Sequence, residues 1–122
     1  MIGAHIEIIL IITGAATAVA LLQFIAPKPV LSMIFGTAPT DAVSVALARH
    51  WGLLVFLIGA LLIYAAFHPA VREPAVAVAA IEKIALALGV LGTALSSRSP
   101  AAAIAFGDSI IALIYLLYLA GY

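Results

Sequence analysis

Long stretches of apolar residues, interrupted by few charges, limit the folds that this chain can adopt more than any other feature. Hydrophobic residues make up 67% of the 122 residues and charged residues 8%, whereas soluble globular domains hold roughly 45–50% and 25%. Five basic and five acidic side chains are too few to cover a water-soluble fold of this length. The sequence therefore predicts an integral membrane protein whose first partner is the lipid bilayer.

Prolines and polar residues divide the sequence into apolar segments of helical length. Proline removes a backbone donor and clashes with the preceding turn, so it marks where a helix ends or begins. Because about 20 residues cross a bilayer, the segment from Val30 to Phe35 is too short to span and is predicted to be interfacial. We predict an all-α, four-transmembrane-helix bundle forming one membrane domain over residues 1–122, with helices at about 6–26, 41–67, 74–95 and 100–120.

Five ionisable side chains fall inside the predicted spans: Arg49, His50, Glu82, Lys83 and Asp108. Each is costly in a membrane unless it is paired or hydrated, so such residues indicate function or helix pairing. At about 1.5 Å per residue, Arg49 and Asp108 each lie about 12 Å below the start of their helices. Opposite charges at one depth predict an ion pair between Arg49 and Asp108.

Small residues on the same helix faces indicate where these charges point. Gly52 and Gly59 share a face with Arg49, and small residues let membrane helices approach closely. We therefore expect a polar pocket in one half of the bundle, with a tyrosine at its floor. The predicted intramembrane cluster consists of Arg49, His50, Glu82, Asp108, Lys83, Gln23 and Tyr115.

Simpler interpretations stay open for these residues. Arg49 precedes Trp51, an interfacial residue type, and its long side chain can extend to the membrane surface. A pair between Arg49 and Asp108 can also serve helix packing alone, without any ligand. Lys83 lies about 100° around the helix from Glu82, so we expect it to extend to the interface or to meet another helix or subunit.

The sequence lacks the residues that several kinds of functional site require. The chain has no cysteine, and its isolated histidines do not predict a metal site. No phosphate-binding loop or catalytic motif occurs, so catalytic residues and cofactors stay unassigned. The net charge is +0 with scattered basic residues, which gives no support for nucleic-acid binding.

The order of motifs resembles the small DoxX-like membrane proteins and related uncharacterised bacterial four-helix families. The features shared are Pro29 to Phe35-Gly36 after helix one, Arg49 with Gly52, the Pro69–Arg72 turn, Glu82-Lys83 and Asp108. The resemblance implies a bacterial inner (plasma) membrane protein, with links in some members to quinone-dependent oxidation. An even number of spans places both termini on the same side, and Lys28 and Arg98 weakly favour their connections as cytoplasmic.

Three functions are compatible with these residues. The first is a pocket that binds a lipid- or quinone-like apolar molecule, with its polar head near Arg49, His50, Glu82 and Asp108. The second is a non-enzymatic assembly subunit that binds another membrane protein. The third is a small proton-coupled transporter, acting as a homodimer with Glu82 and Lys83 as coupling groups.

Overall fold

The structure is a computed structural model that describes residues 2–37, 39–91 and 99–121. Within those ranges the chain is helical and contains no strand. Short 3₁₀ turns precede α1 and α5, at Gly3–His5 and Pro69–Val71. The α-helices in chain order are α1 (Ile6–Ala18), α2 (Leu21–Ile25), α3 (Pro27–Phe35), α4 (Ala42–Phe67), α5 (Arg72–Leu91) and α6 (Ser99–Leu119).

The ends of the later helices follow the predicted breakers closely. Asp41 caps α4 by accepting a hydrogen bond of 2.8 Å from the Ser44 backbone N–H, and this bond holds the pKa of the Asp41 carboxyl below its usual range. α5 begins two residues before the predicted start at Pro74, which lies in its first turn where proline is tolerated. The predicted end of helix three at residue 95 and the connection that holds Arg98 lie outside the described residues.

The first helix, predicted at about 6–26, forms one apolar span at Gly3–Ile25 that contains α1 and α2. The helix is interrupted at Val19–Ala20, where the Ala20 N–H bonds to the Thr17 carbonyl three residues back, at 3.1 Å. Just before the break, Thr13 and Thr17 hydroxyls donate to the carbonyls four residues earlier, a contact that often bends helices. The sequence holds no proline or glycine at the break, so it carried no breaker signal.

The segment predicted to be interfacial belongs to a short helix that packs against the bundle. α3 begins at Pro27, directly after α2, because proline at the first helical position needs no N–H partner. It ends at Gly36, whose φ of 76° is left-handed backbone that favours glycine. α3 contacts α2, α4 and α6, so it lies across one end of the bundle.

Glycines let α4 cross the first two helices at backbone contact. A Cβ atom added to Gly59 would lie 2.5 Å from the Ala18 nitrogen and 2.6 Å from the Gly14 carbonyl oxygen. Further along α4, a Cβ atom on Gly52 would lie 2.9 Å from the Phe24 nitrogen. These crossings are of the small-residue type that packs membrane helices.

The two halves of the bundle are packed differently. The main core lies in the half that holds the α1 start and the α4–α5 turn, where Leu10, Leu62, Val76 and Tyr115 are fully buried. At that end Arg72 approaches Glu7 to 3.4 Å. A smaller cluster around Val90 and Ala105 lies in the other half, beside α3. Most residues of this smaller cluster line a cavity.

The outer surface is apolar. The outward face of α4 carries large hydrophobic side chains at spacings of three and four, whereas its buried face is mostly Ala and Gly. In the described residues, two helices are long and apolar enough to cross a membrane, Gly3–Ile25 and Ala42–Phe67. A shorter apolar helix covers Ala103–Leu119. The exposed α4 residues are Val43, Leu47, Trp51, Leu54, Leu57, Leu61, Tyr64 and Phe67.

Candidate functional site

A cavity of about 340 Å³ lies between the helices, under α3. Every α-helix of the described chain contributes to its wall, as do Val19 and Ala20 at the α1–α2 break. Most of the wall is apolar, with Phe35 and Trp51 as its aromatic residues. The polar side chains that line it are Thr17, Gln23, Glu82, Lys83 and Asp108.

Lys83 forms the centre of the polar wall and is only 2% exposed. Its ammonium group donates to the Thr17 hydroxyl at 3.0 Å and to the Asp108 carboxylate at 3.2 Å. These contacts join α5 to α1 and α6. The predicted ion pair between Arg49 and Asp108 was wrong in its cation, because Lys83 holds Asp108 instead.

Glu82 precedes Lys83 on α5 and also lines the cavity. Its Oε1 atom is buried, and the structure gives it no hydrogen-bond partner among the residues it describes. Glu82 also lines a second, neighbouring recess of about 740 Å³. Phe35, Trp51 and Leu86 border both spaces, so this recess, here called the outer groove, lies next to the cavity wall.

Gln23 reaches the cavity from α2, as predicted for its helix face. Its side-chain amide donates to the Ala48 carbonyl on α4 at 2.8 Å, and the residue is 6% exposed. Gly52 on α4 makes room for this approach, since its hydrogen atoms face the Gln23 Cβ. The bond fixes the short helix α2 against α4 and orients one wall of the cavity.

Three residues of the predicted cluster lie elsewhere. Arg49 and His50 are exposed and do not line the cavity; Arg49 donates to the Phe24 carbonyl at 3.3 Å. Tyr115 is fully buried in the main core, where its hydroxyl donates to Thr13. The structure thus brings together Gln23, Glu82, Lys83 and Asp108 and leaves Arg49, His50 and Tyr115 outside the cavity wall.

Thr17 is the polar wall residue that sequence reasoning missed. A threonine in an apolar helix gives little signal, because its hydroxyl usually bonds to its own backbone. Thr17 does bond in this way, and the same oxygen accepts from Lys83. A signal was available in its spacing, since Thr13 and Thr17 are four residues apart and so share one helix face.

The chemistry available at the wall is one ammonium, two carboxylates, one amide and one hydroxyl. Among the described residues, no group of three or more His, Cys, Asp or Glu side chains gathers as metal ligands would. An apolar cavity with a few convergent polar groups is typical of sites for small molecules. The arrangement is suited to holding an apolar molecule with a polar head.

Comparison with known proteins identifies no relative: no family model, no curated protein and no solved structure matches the chain. The resemblance to DoxX-like proteins therefore stays a prediction, neither supported nor refuted.

Proposed function

We propose that this protein is an integral membrane four-helix bundle that binds a lipid- or quinone-like apolar molecule in the cavity under α3. The observation that carries the proposal is the cavity itself, whose apolar wall holds a compact group of polar side chains. Its volume of about 340 Å³ lies within the range of about 300–1,000 Å³ usual for small-molecule sites.

The apolar exterior supports the membrane part of this proposal. Monomeric soluble proteins rarely expose large contiguous apolar surfaces, yet the outward faces of α1, α4, α5 and α6 are apolar here. Glu82, Lys83 and Asp108 line the cavity, as expected for ionisable groups of membrane helices. α5 carries Glu82 and Lys83 in its middle, and both side chains line the cavity.

Native mass spectrometry of the protein released from nanodiscs tests the proposal. We expect the parent chain to retain a stoichiometric small molecule that is lost in Glu82→Gln, because Glu82 lines the cavity. The matched control is Glu73→Gln, which changes an exposed glutamate on the same helix and should leave the adduct unchanged. A bare chain in all three samples would contradict the proposal of a retained ligand.

A second candidate is the non-enzymatic assembly subunit, and one observation favours it. Lys83 links α1, α5 and α6 through its hydrogen bonds to Thr17 and Asp108, as expected of charges that serve helix packing. This hypothesis expects no adduct in the parent, together with capture of another membrane protein by cross-linking from lipid. A retained molecule that protects the parent from unfolding would contradict it.

A further inference from the structure

The cavity wall carries one acid more than it has bases. Among the described residues that line it, Lys83 is the one cation, whereas Glu82 and Asp108 are both acids. Lys83 is already paired with Asp108 and bonded to Thr17. With all three groups ionised, the formal charges of +1, −1 and −1 sum to −1, and among the described residues Glu82 is the wall acid that has no ion-pair partner.

The position of Glu82 makes this imbalance relevant to a ligand. Its buried Oε1 atom has no hydrogen-bond partner among the described residues, and a buried carboxylate is costly unless it is neutralised by a cation or by a proton. Glu82 lines both the cavity and the outer groove. A bound molecule extending from one space to the other would therefore pass this carboxylate.

The aromatic residues beside Glu82 favour a ligand with a cationic head group. Phe35 and Trp51 line both the cavity and the outer groove with Glu82. Cations bind to the faces of aromatic rings, most strongly to tryptophan, and ammonium groups form charge-assisted hydrogen bonds with carboxylates. Carboxylate and aromatic side chains together match an organic cation better than a neutral carbonyl head.

We propose that the cavity ligand is an amphiphile whose apolar tail lies in the cavity and whose primary ammonium head pairs with Glu82, where the cavity adjoins the outer groove. This inference rests on the proposed ligand-binding function and narrows the class of ligand. The ammonium replaces the missing counter-charge, so Lys83 keeps its bonds to Asp108 and Thr17. The ammonium head can therefore bind to Glu82 without any rearrangement of the Lys83–Asp108 ion pair.

Trp51 gives a direct readout, because it is the only tryptophan of the chain and it borders both spaces. Its fluorescence is followed in phosphatidylcholine nanodiscs while dodecylammonium, dodecanol or decylubiquinone is added. We expect dodecylammonium to bind at a concentration about tenfold or more below that of dodecanol, as one charge-assisted hydrogen bond implies. The preference should vanish in Glu82→Gln and persist in Glu73→Gln.

The outcomes separate this inference from the function on which it rests. Equal binding of dodecylammonium and dodecanol by the parent, or tighter binding of the quinone, would overturn the ammonium head. In either case, if Val55→Phe, which narrows the cavity, weakens the binding of all probes, the proposed ligand-binding function is still supported. No fluorescence change with any probe would contradict both the ammonium head group and the proposed ligand binding. The comparison within the parent chain needs no variant, so it holds even if Glu82→Gln fails to fold.

Two sources of the same ammonium chemistry can be distinguished in the same assay. Nanodiscs that contain phosphatidylethanolamine present the ammonium as a lipid head group. Weaker apparent binding of dodecylammonium in these nanodiscs would assign the site to an aminophospholipid. Unchanged binding would assign it to a free alkylammonium molecule.

Discussion

Lys83 is the residue on which the interior of the bundle most depends. It is 2% exposed and its ammonium contacts two other helices. Burying a charge is tolerable only when its partner is present, and removal of one partner leaves the other uncompensated. The contribution of this contact to folding stability therefore depends on the presence of both Lys83 and Asp108.

Replacement of Lys83 by methionine tests this dependence. We expect Lys83→Met to lower the free energy of unfolding by about 3–5 kcal/mol, because Asp108 would stay buried without a cation. Adding Asp108→Asn should restore part of the loss, and unfolding in mixed micelles measures both. The matched control is Lys28→Met at an exposed lysine; an equal loss there would contradict the special role of Lys83.

The prediction that Arg49 pairs with Asp108 was wrong, and it shows that equal depth along two helices does not determine which side chains meet. Counting residues from the helix ends placed Arg49 and Asp108 at one depth and so predicted that they pair. It did not give the direction in which Arg49 points, and Arg49 is exposed. Lys83 was available on another helix, and its flexible side chain reaches two helices at once.

At the scale of elements, the crossing of α1 and α4 is set by backbone contact at Gly14 and Gly59. The sequence indicated small residues on this face of α4, and both Gly52 and Gly59 are buried there. Proline positions likewise predicted the ends of α4 and the start of α6 within about two residues. The sequence holds no proline or glycine at the Val19–Ala20 break, so breaker patterns did not predict it.

Substitution of Gly59 should be far more harmful than substitution of another helical glycine. An added Cβ would lie 2.5 Å from the Ala18 nitrogen, and backbone atoms cannot move aside as a flexible side chain can. We expect Gly59→Ala to destabilise the protein by about 1–3 kcal/mol or more. Circular dichroism during thermal unfolding in detergent measures the change.

Gly107 in α6 provides the control, because an added Cβ would meet no other described part of the chain within 4 Å apart from its own helix backbone and neighbours. There alanine removes backbone freedom from the unfolded chain, so we expect Gly107→Ala to be neutral or stabilising by up to about 1 kcal/mol. Equal destabilisation by both variants would mean that the close crossing of α1 and α4 does not determine stability.

At the scale of the whole molecule, composition predicted an all-helical membrane protein, and the described residues are helical with two helices apolar enough to span. Sequence patterns predicted a polar pocket in one half of the bundle but not the part that α3 plays in its wall. α3 lines the cavity and contacts α2, α4 and α6, and such contacts between distant segments cannot be read from local patterns.

The four-span topology can be tested by labelling, because the chain has no cysteine of its own. Single cysteines are introduced as Thr40→Cys before α4, Glu73→Cys at the α4–α5 turn, and Gly3→Cys, all at exposed positions. In oriented vesicles, we expect an impermeant maleimide to label Glu73→Cys and Gly3→Cys from one side and Thr40→Cys from the other. Labelling of Thr40→Cys and Glu73→Cys from the same side would contradict a spanning α4.

One half of the bundle is closely packed and the other contains the cavity, so the two halves should respond differently to hydrostatic pressure. Hydrostatic pressure favours states of smaller volume, and its effect scales with the internal void that such states eliminate. A cavity of about 340 Å³ lies at one end of this bundle, whereas the other end has a closely packed core. Pressure should therefore compress the molecule unevenly, collapsing α3 towards the helices beneath it while the Tyr115 end keeps its shape.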